Sequence, residues 1–157
     1  MIRFIAAIDD KRGIANDKGI PWLGKLPTDV KQYREHIHGY PVIMGLGHYN
    51  ELQQPYPDSD NYVAVLGDAP LRAGFTLVSD AHDFLSKFAG DIWNIGGALL
   101  YDSTLDLADE LYLTRLKGDF GCTKFFPAFE ETFKRVEATP IQEENGITFH
   151  FERWVKK

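Results

Sequence analysis

A three-layer α/β fold, one mainly parallel sheet covered by helices on both faces, is the class this chain predicts. Short apolar runs alternate with helical patterns over the first hundred residues, as strand-helix-strand units require. Two of those runs end in closely spaced glycines followed at once by a helix start, Met44-Gly45-Leu46-Gly47-His48 and Ile95-Gly96-Gly97-Ala98. The chain then closes with two alternating segments, residues 132–138 and 147–155, whose pattern suits an antiparallel edge pair. At 157 residues, with 44% apolar and 25% charged side chains, the composition is that of one soluble domain spanning 1–157.

Residues 2–9 form a first, largely buried strand in which the small Ala6 and Ala7 let a ligand approach the backbone. Residues 9–19 are polar, carry Gly13 and Gly19, and read as a loop that ends at Ile20-Pro21-Trp22. A helix begins at Pro27, because proline costs nothing in a first turn whose N–H has no helical partner. Its apolar stripe is Leu26, Val30, Tyr33 and Ile37. Strands follow at 40–44, 61–66, 75–78, 91–95 and 110–116. Short helices open at Leu46, behind the Ser79-Asp80 cap, and around Leu99, Leu100 and Tyr101.

The longest N-terminal apolar run, residues 1–8, is broken by Arg3 and followed by charged residues, so neither a membrane span nor a signal peptide is expected. One cysteine, Cys122, excludes an internal disulfide and a cysteine metal cage. A cytoplasmic location follows as the default, and the monomer is the expected state. A net charge of −6 without a basic stripe argues against nucleic acid as partner. The five histidines make no ligand motif, so no metal is expected; His36 and His38 read as solvated surface.

Three features could carry chemistry. Asp29 lies three residues after Leu26 and four before Tyr33, so its carboxylate points with the apolar stripe. That is costly without a partner and typical of functional groups, although a first-turn aspartate also favours the helix dipole. Ile20 and Trp22 place apolar bulk beside it, either as a water-excluding lid or as ordinary core. The two glycine-to-helix turns could cradle a pyrophosphate, or could simply be tight connections. Neither is a G-x-G-x-x-G fingerprint, and no nucleophile motif is present. Together they fit a redox enzyme whose nucleotide cofactor supplies the hard chemistry while the protein supplies position and one proton handle.

Several motifs now stand in one order: Ile5-Ala6-Ala7, Ile20-Pro21-Trp22, Leu26-Pro27-x-Asp29, Pro41-Val42-Ile43-Met44-Gly45, Ile95-Gly96-Gly97 with Tyr101, Leu111-Tyr112-Leu113-Thr114 and Phe126-Pro127. In that order the sequence resembles dihydrofolate reductase over nearly its whole length. The resemblance implies an eight-stranded, mostly parallel sheet with an antiparallel C-terminal strand and about four helices. It also implies reduction of dihydrofolate to tetrahydrofolate with NADPH. Asp29 matches the pterin-binding carboxylate, Thr114 its supporting hydroxyl, Trp22 the holder of a bridging water and Ile20 the lid tip. Ile5, Ala6, Tyr33, Leu52, Tyr56 and Ile95 match the substrate walls. Ala7, Ile14, Gly45, Leu46, Gly47, His48, Ile95, Gly96, Gly97, Ala98, Leu99 and Tyr101 match the cofactor contacts.

The sequence departs from the family pattern at several positions. Among them, Thr123 stands where the family has an aspartate that couples a distal loop to the lid, and Leu23-Gly24-Lys25 lengthens the lid's exit by two residues. Ser59 replaces the arginine that clamps the glutamate tail of folate, leaving Arg34 as a substitute. The alternative is a related heterocycle lacking that tail, another pterin or a flavin-pathway pyrimidine. Leu46 replaces the arginine that pairs the 2′-phosphate, which weakens the preference for NADPH over NADH. His48 replaces a phosphate-contacting threonine.

Overall fold

The computed structural model describes every residue from Met1 to Lys157 except Ala69. Its principal strands are β1 (Ile2–Ile8), β3 (Val42–Gly45), β4 (Asn61–Ala64), β5 (Phe75–Val78), β6 (Ile92–Asn94), β7 (Glu110–Leu116) and β11 (Ile147–Lys156). Short strands β2 (Gly13–Ala15), β8 (Lys124–Phe125), β9 (Phe133–Ala138) and β10 (Gln142–Glu144) complete the set. Four α-helices are described: α1 (Pro27–Ile37), α2 (Leu46–Glu51), α3 (Ala81–Ser86) and α4 (Ala98–Thr104).

The sheet runs β10-β11-β7-β1-β6-β3-β4-β5. All pairings from β7 to β5 are parallel, and β11 joins β7 antiparallel. The expected eight-position, mostly parallel sheet is therefore the observed one. The closing pair is more elaborate than a simple edge: β10 and β9 share the outer side of β11 end to end. Strands β2 and β8 form a separate two-stranded ribbon within what reads in sequence as loop. Its members are two and three residues long, too short to show a period.

Alternation along β3 shows how the faces are covered. Val42 and Met44 pack with Ile37 of α1, Val63 and Trp93 on one face, while Ile43 packs with Val78, Leu85, Ile92 and Leu100 on the other. Leu26 and Ile37 are buried as expected. Val30 is not: it is 39% exposed, because Asp29 takes the inward direction of that turn and leaves the next residue at the rim of the stripe. His36 is also reassigned from solvated surface. Its ring is half-buried against Tyr112 and Trp93, with centroids 4.9 and 5.5 Å away.

The C-terminal strand is tied by Glu152, whose buried carboxylate accepts from Arg115 (3.0 Å), Trp154 (2.9 Å), Arg135 (3.2 Å) and His150 (2.8 Å). Burial alone would push this carboxyl up. The bonds from Trp154 and His150 and the Arg115 and Arg135 contacts outweigh it and hold the group below its usual range. Its stabilisation is thus complete above the ordinary carboxylate range and lost as pH falls through the lowered value. Glu152→Ala removes the buried carboxylate that partly exposed Arg115, Arg135 and His150 share and should cost about 2 kcal/mol in urea unfolding at neutral pH, less in acid. A loss below about 1 kcal/mol at neutral pH would show that the network is solvated rather than buried.

Candidate active site

The carboxyl ends of β1, β6 and β3 lie side by side, the usual place for a ligand in an open parallel sheet. Parallel register sets Ala7 opposite Thr114. Across from them, the first turn of α1 presents Asp29. The Thr114 hydroxyl donates to Asp29 Oδ1 at 2.5 Å. Burial pushes the Asp29 carboxyl up from the ordinary value; the Thr114 bond pulls it down, and the nearby charge of Glu144 adds to the rise.

Two walls face each other beyond this pair. Ile5, Tyr33, Leu52 and Tyr56 all pack on the cluster that contains Ile95. The Tyr33 and Tyr56 hydroxyls lie 2.9 Å apart. Tyr56 continues to His48 Nε2 at 3.3 Å, and His48 Nδ1 reaches the Ile95 carbonyl at 3.2 Å. A carbonyl only accepts, so Nδ1 carries the ring proton. Burial lowers the affinity of His48 for a second proton, leaving Nε2 to accept from Tyr56, which in turn accepts from Tyr33. The direction of the whole chain follows from one carbonyl.

The glycine turn after β6 is closely fitted. Gly96 has φ +84, and an added Cβ would lie 2.5 Å from the Tyr101 ring. The Tyr101 hydroxyl donates to the Ile5 carbonyl at 2.6 Å, so the ring cannot retreat without losing that bond. Gly45 N–H donates to the Gly96 carbonyl at 2.7 Å, which brings the two glycine turns together. At Gly47 and Gly97, by contrast, a Cβ would meet nothing within 4 Å. The backbone at the starts of α2 and α4 is open on that side, as a bound phosphate needs. Ala98 is half-buried, and Leu46 and Leu99 are exposed beside these starts.

Trp22 is 5% exposed and packs with Leu26, Leu116, Ile147 and Phe149, so it is a core residue at the edge of the site. Ile20, two residues earlier, is 38% exposed. Ala6 and Ile14 pack on the cluster around Phe4 and Phe126. Ser59 turns inward to its own loop, donating to the Pro57 carbonyl at 3.3 Å.

Sequence reading did not find three supporting residues. Asn94 accepts from Gly96 N–H (3.0 Å) and donates to the Thr104 hydroxyl (3.1 Å), fixing the glycine turn from below. Asn61 holds the loop of Tyr56 by accepting from its N–H (2.9 Å) and donating to its carbonyl (3.0 Å). Glu144 meets the start of α1. The available signal was an asparagine at one end of an apolar strand, and Asn61 and Asn94 both carried it.

The sequence profile of the dihydrofolate reductase family matches residues 1–156. The chain belongs to that family. It is 33% identical to the dihydrofolate reductase of Bacillus subtilis, with all of this chain and 95% of the relative aligned. It is 25% identical to that of Staphylococcus aureus strain MSSA476, over 99% of this chain and 98% of the other. Among solved structures, dihydrofolate reductase from Enterococcus faecalis, complexed with NADP(H) and RAB-propyl, superposes with a TM-score of 0.87 at 21% identity, covering 100% of this chain and 96% of the other. That likeness shows the shared fold.

The raised carboxyl of Asp29 predicts a pH-dependent stability. Between the ordinary carboxylate range and the raised value, the folded protein binds a proton that the unfolded chain has lost, so stability falls as pH rises through that window. Asp29→Asn, which keeps an acceptor for Thr114, should melt higher than the wild type above the window. The advantage should vanish in more acidic solution. Equal differences in Tm at about pH 3 and pH 8 would show that the group titrates normally.

Proposed function

We propose that this protein reduces 7,8-dihydrofolate to 5,6,7,8-tetrahydrofolate with NADPH, acting in the cytoplasm as a monomer made of the single domain 1–157. The observation that carries the reading is the half-buried Asp29, supported by Thr114 at the carboxyl end of a parallel sheet. NADPH, when bound, supplies the hydride that goes to pterin C6. The open backbone at Gly47 and Gly97, at the starts of α2 and α4, would hold its phosphates together with His48, and Ala7, Ile14 and Tyr101 would lie toward the nicotinamide half.

Asp29 binds the pterin by accepting from its 2-amino group and N3, which favours protonation at N5. Thr114 fixes the accepting oxygen by filling one of its lone pairs. The N5 proton comes from water, in keeping with a site where Asp29 is committed to the substrate and the neighbouring Glu144 to Thr28. Trp22 positions that water, and Ile20 at the loop end excludes the rest. Asp29→Asn keeps the shape and loses the charge, so turnover should fall about 100-fold or more at neutral pH while the fold survives. Near-normal turnover would remove the assigned role.

Two observations favour a second reading, a reductase of a related heterocycle lacking a glutamate tail. Ser59 bonds to its own loop instead of facing the cleft, and Tyr33 and Tyr56 are joined by their hydroxyls. Arg34 is the cation that acts on both tyrosines and is the available partner for a tail carboxylate. Steady-state rates with dihydrofolate and with a tail-less dihydropterin separate the readings. A lower KM for dihydrofolate, lost in Arg34→Ala, supports the folate substrate; equal KM values support the tail-less one. Parallel assays with NADH measure what Leu46 has done to cofactor choice. A phosphate dianion facing leucine gains no ion pair, so the two cofactors should differ by less than about tenfold in kcat/KM.

A further inference from the structure

The start of α1 lacks a cap of its own. Leu26 stands at the N-cap position and offers no side-chain acceptor. The first-turn N–H of Thr28 is met from far along the chain by Glu144 of β10. One oxygen of Glu144 accepts that N–H at 3.1 Å, and the other accepts the Thr28 hydroxyl. The next residue, Asn145, donates its side-chain amide to the Lys25 carbonyl at 2.7 Å. Three hydrogen bonds therefore join one hairpin tip to the residues just before Asp29.

We propose that Glu144 is a positioning residue for Asp29, fixing the first turn of α1 and setting a second negative charge beside the substrate-binding carboxylate. The inference rests on the assignment of Asp29 to the pterin. Asn145 and Gly146 have φ +50 and +80, which makes the β10–β11 connection a tight two-residue turn. Behind it, Ile147 and Phe149 pack with Trp22 and Leu26, and Phe151 pairs with Thr114. The hairpin that grips the Thr28 side of Asp29 is thus built on the same strand pair that carries the hydroxyl gripping Asp29 itself. Both supports move together or not at all.

The charge has a separate consequence from the grip. Among the elements around Asp29, β1 presents the uncharged Ala7 and β7 the Thr114 hydroxyl, while β10 presents the Glu144 carboxylate. Like charge makes Asp29 release its proton less readily, in the same direction as burial.

Glu144→Gln keeps the shape and one accepting oxygen and removes the charge. Glu144→Ala removes both. The carboxyl carbon shift of Asp29, followed by NMR against pH in the free protein, should show its midpoint falling by about half a unit in both variants. Only the alanine variant should lose thermal stability strongly. The pH profile of hydride transfer should move down by the same amount. Thr28→Val, which removes one partner and keeps the charge, should leave the midpoint within about 0.2 unit of wild type. An unchanged midpoint in Glu144→Gln overturns the proposal. A midpoint that falls while the rate profile stays fixed leaves Glu144 as proposed and removes Asp29 from the reaction instead.

Discussion

Asp29 can stay on the inner face of α1 only because a hydroxyl meets it there. A carboxylate taken from water without a partner would protonate or turn outward, and the helix would rotate or fray with it. Thr114 supplies that partner from β7, the strand beside β1, and the parallel register that sets Ala7 opposite Thr114 decides where the hydroxyl stands. Because side chains alternate along a strand, a shift of one residue would turn Thr114 to the other face. The site therefore depends on the pairing of the two strands at the centre of the sheet, and that pairing is secured by their buried apolar residues Phe4, Ile8, Leu111 and Leu113.

Much of this was legible in the chain because the decisive signals are local. Pro27 marks the helix start, the spacing of Leu26, Tyr33 and Ile37 marks the face, and the glycine turns mark where ligand can reach backbone. What stayed hidden was long-range. Glu144 sits 116 residues from Thr28 in a three-residue strand with no apolar alternation, so nothing near it announces a role. The β2–β8 ribbon was hidden for the same reason, since its backbone pairing needs no particular side chains. Val30 and His36 exchanged expected places because helical periodicity fixes direction and cannot say whether a carboxylate or an aromatic pair waits there.

The histidine–tyrosine chain shows a different kind of dependence. Ile95 follows β6 and leads into the Gly96 turn, and its carbonyl fixes the His48 tautomer. That tautomer directs the Tyr56 hydroxyl, which directs Tyr33 on α1, one helical turn beyond Asp29. The Gly96 turn and the inner face of α1 are joined by hydrogen bonds that all point one way. Protonating His48 would make both ring nitrogens donors and would reverse the chain, and burial opposes that protonation.

In the family pattern an arginine stands at each of two positions that the resemblance assigns to the charged ends of the ligands. Ser59 and Leu46 stand there instead, while Asp29, Thr114 and the glycine turns at the centre keep the family's residues. Binding energy from a ligand's remote parts normally helps to position its reacting centre. With neither arginine present, the proposed function leaves more of that positioning to the core of the site: the paired supports of Asp29 and the closely fitted turn under Tyr101. A rigid centre compensates for loosely held ends only if its own geometry is fixed before the ligand arrives. The hairpin grip on α1 and the Asn94 bonds beneath Gly96 are the contacts that fix it.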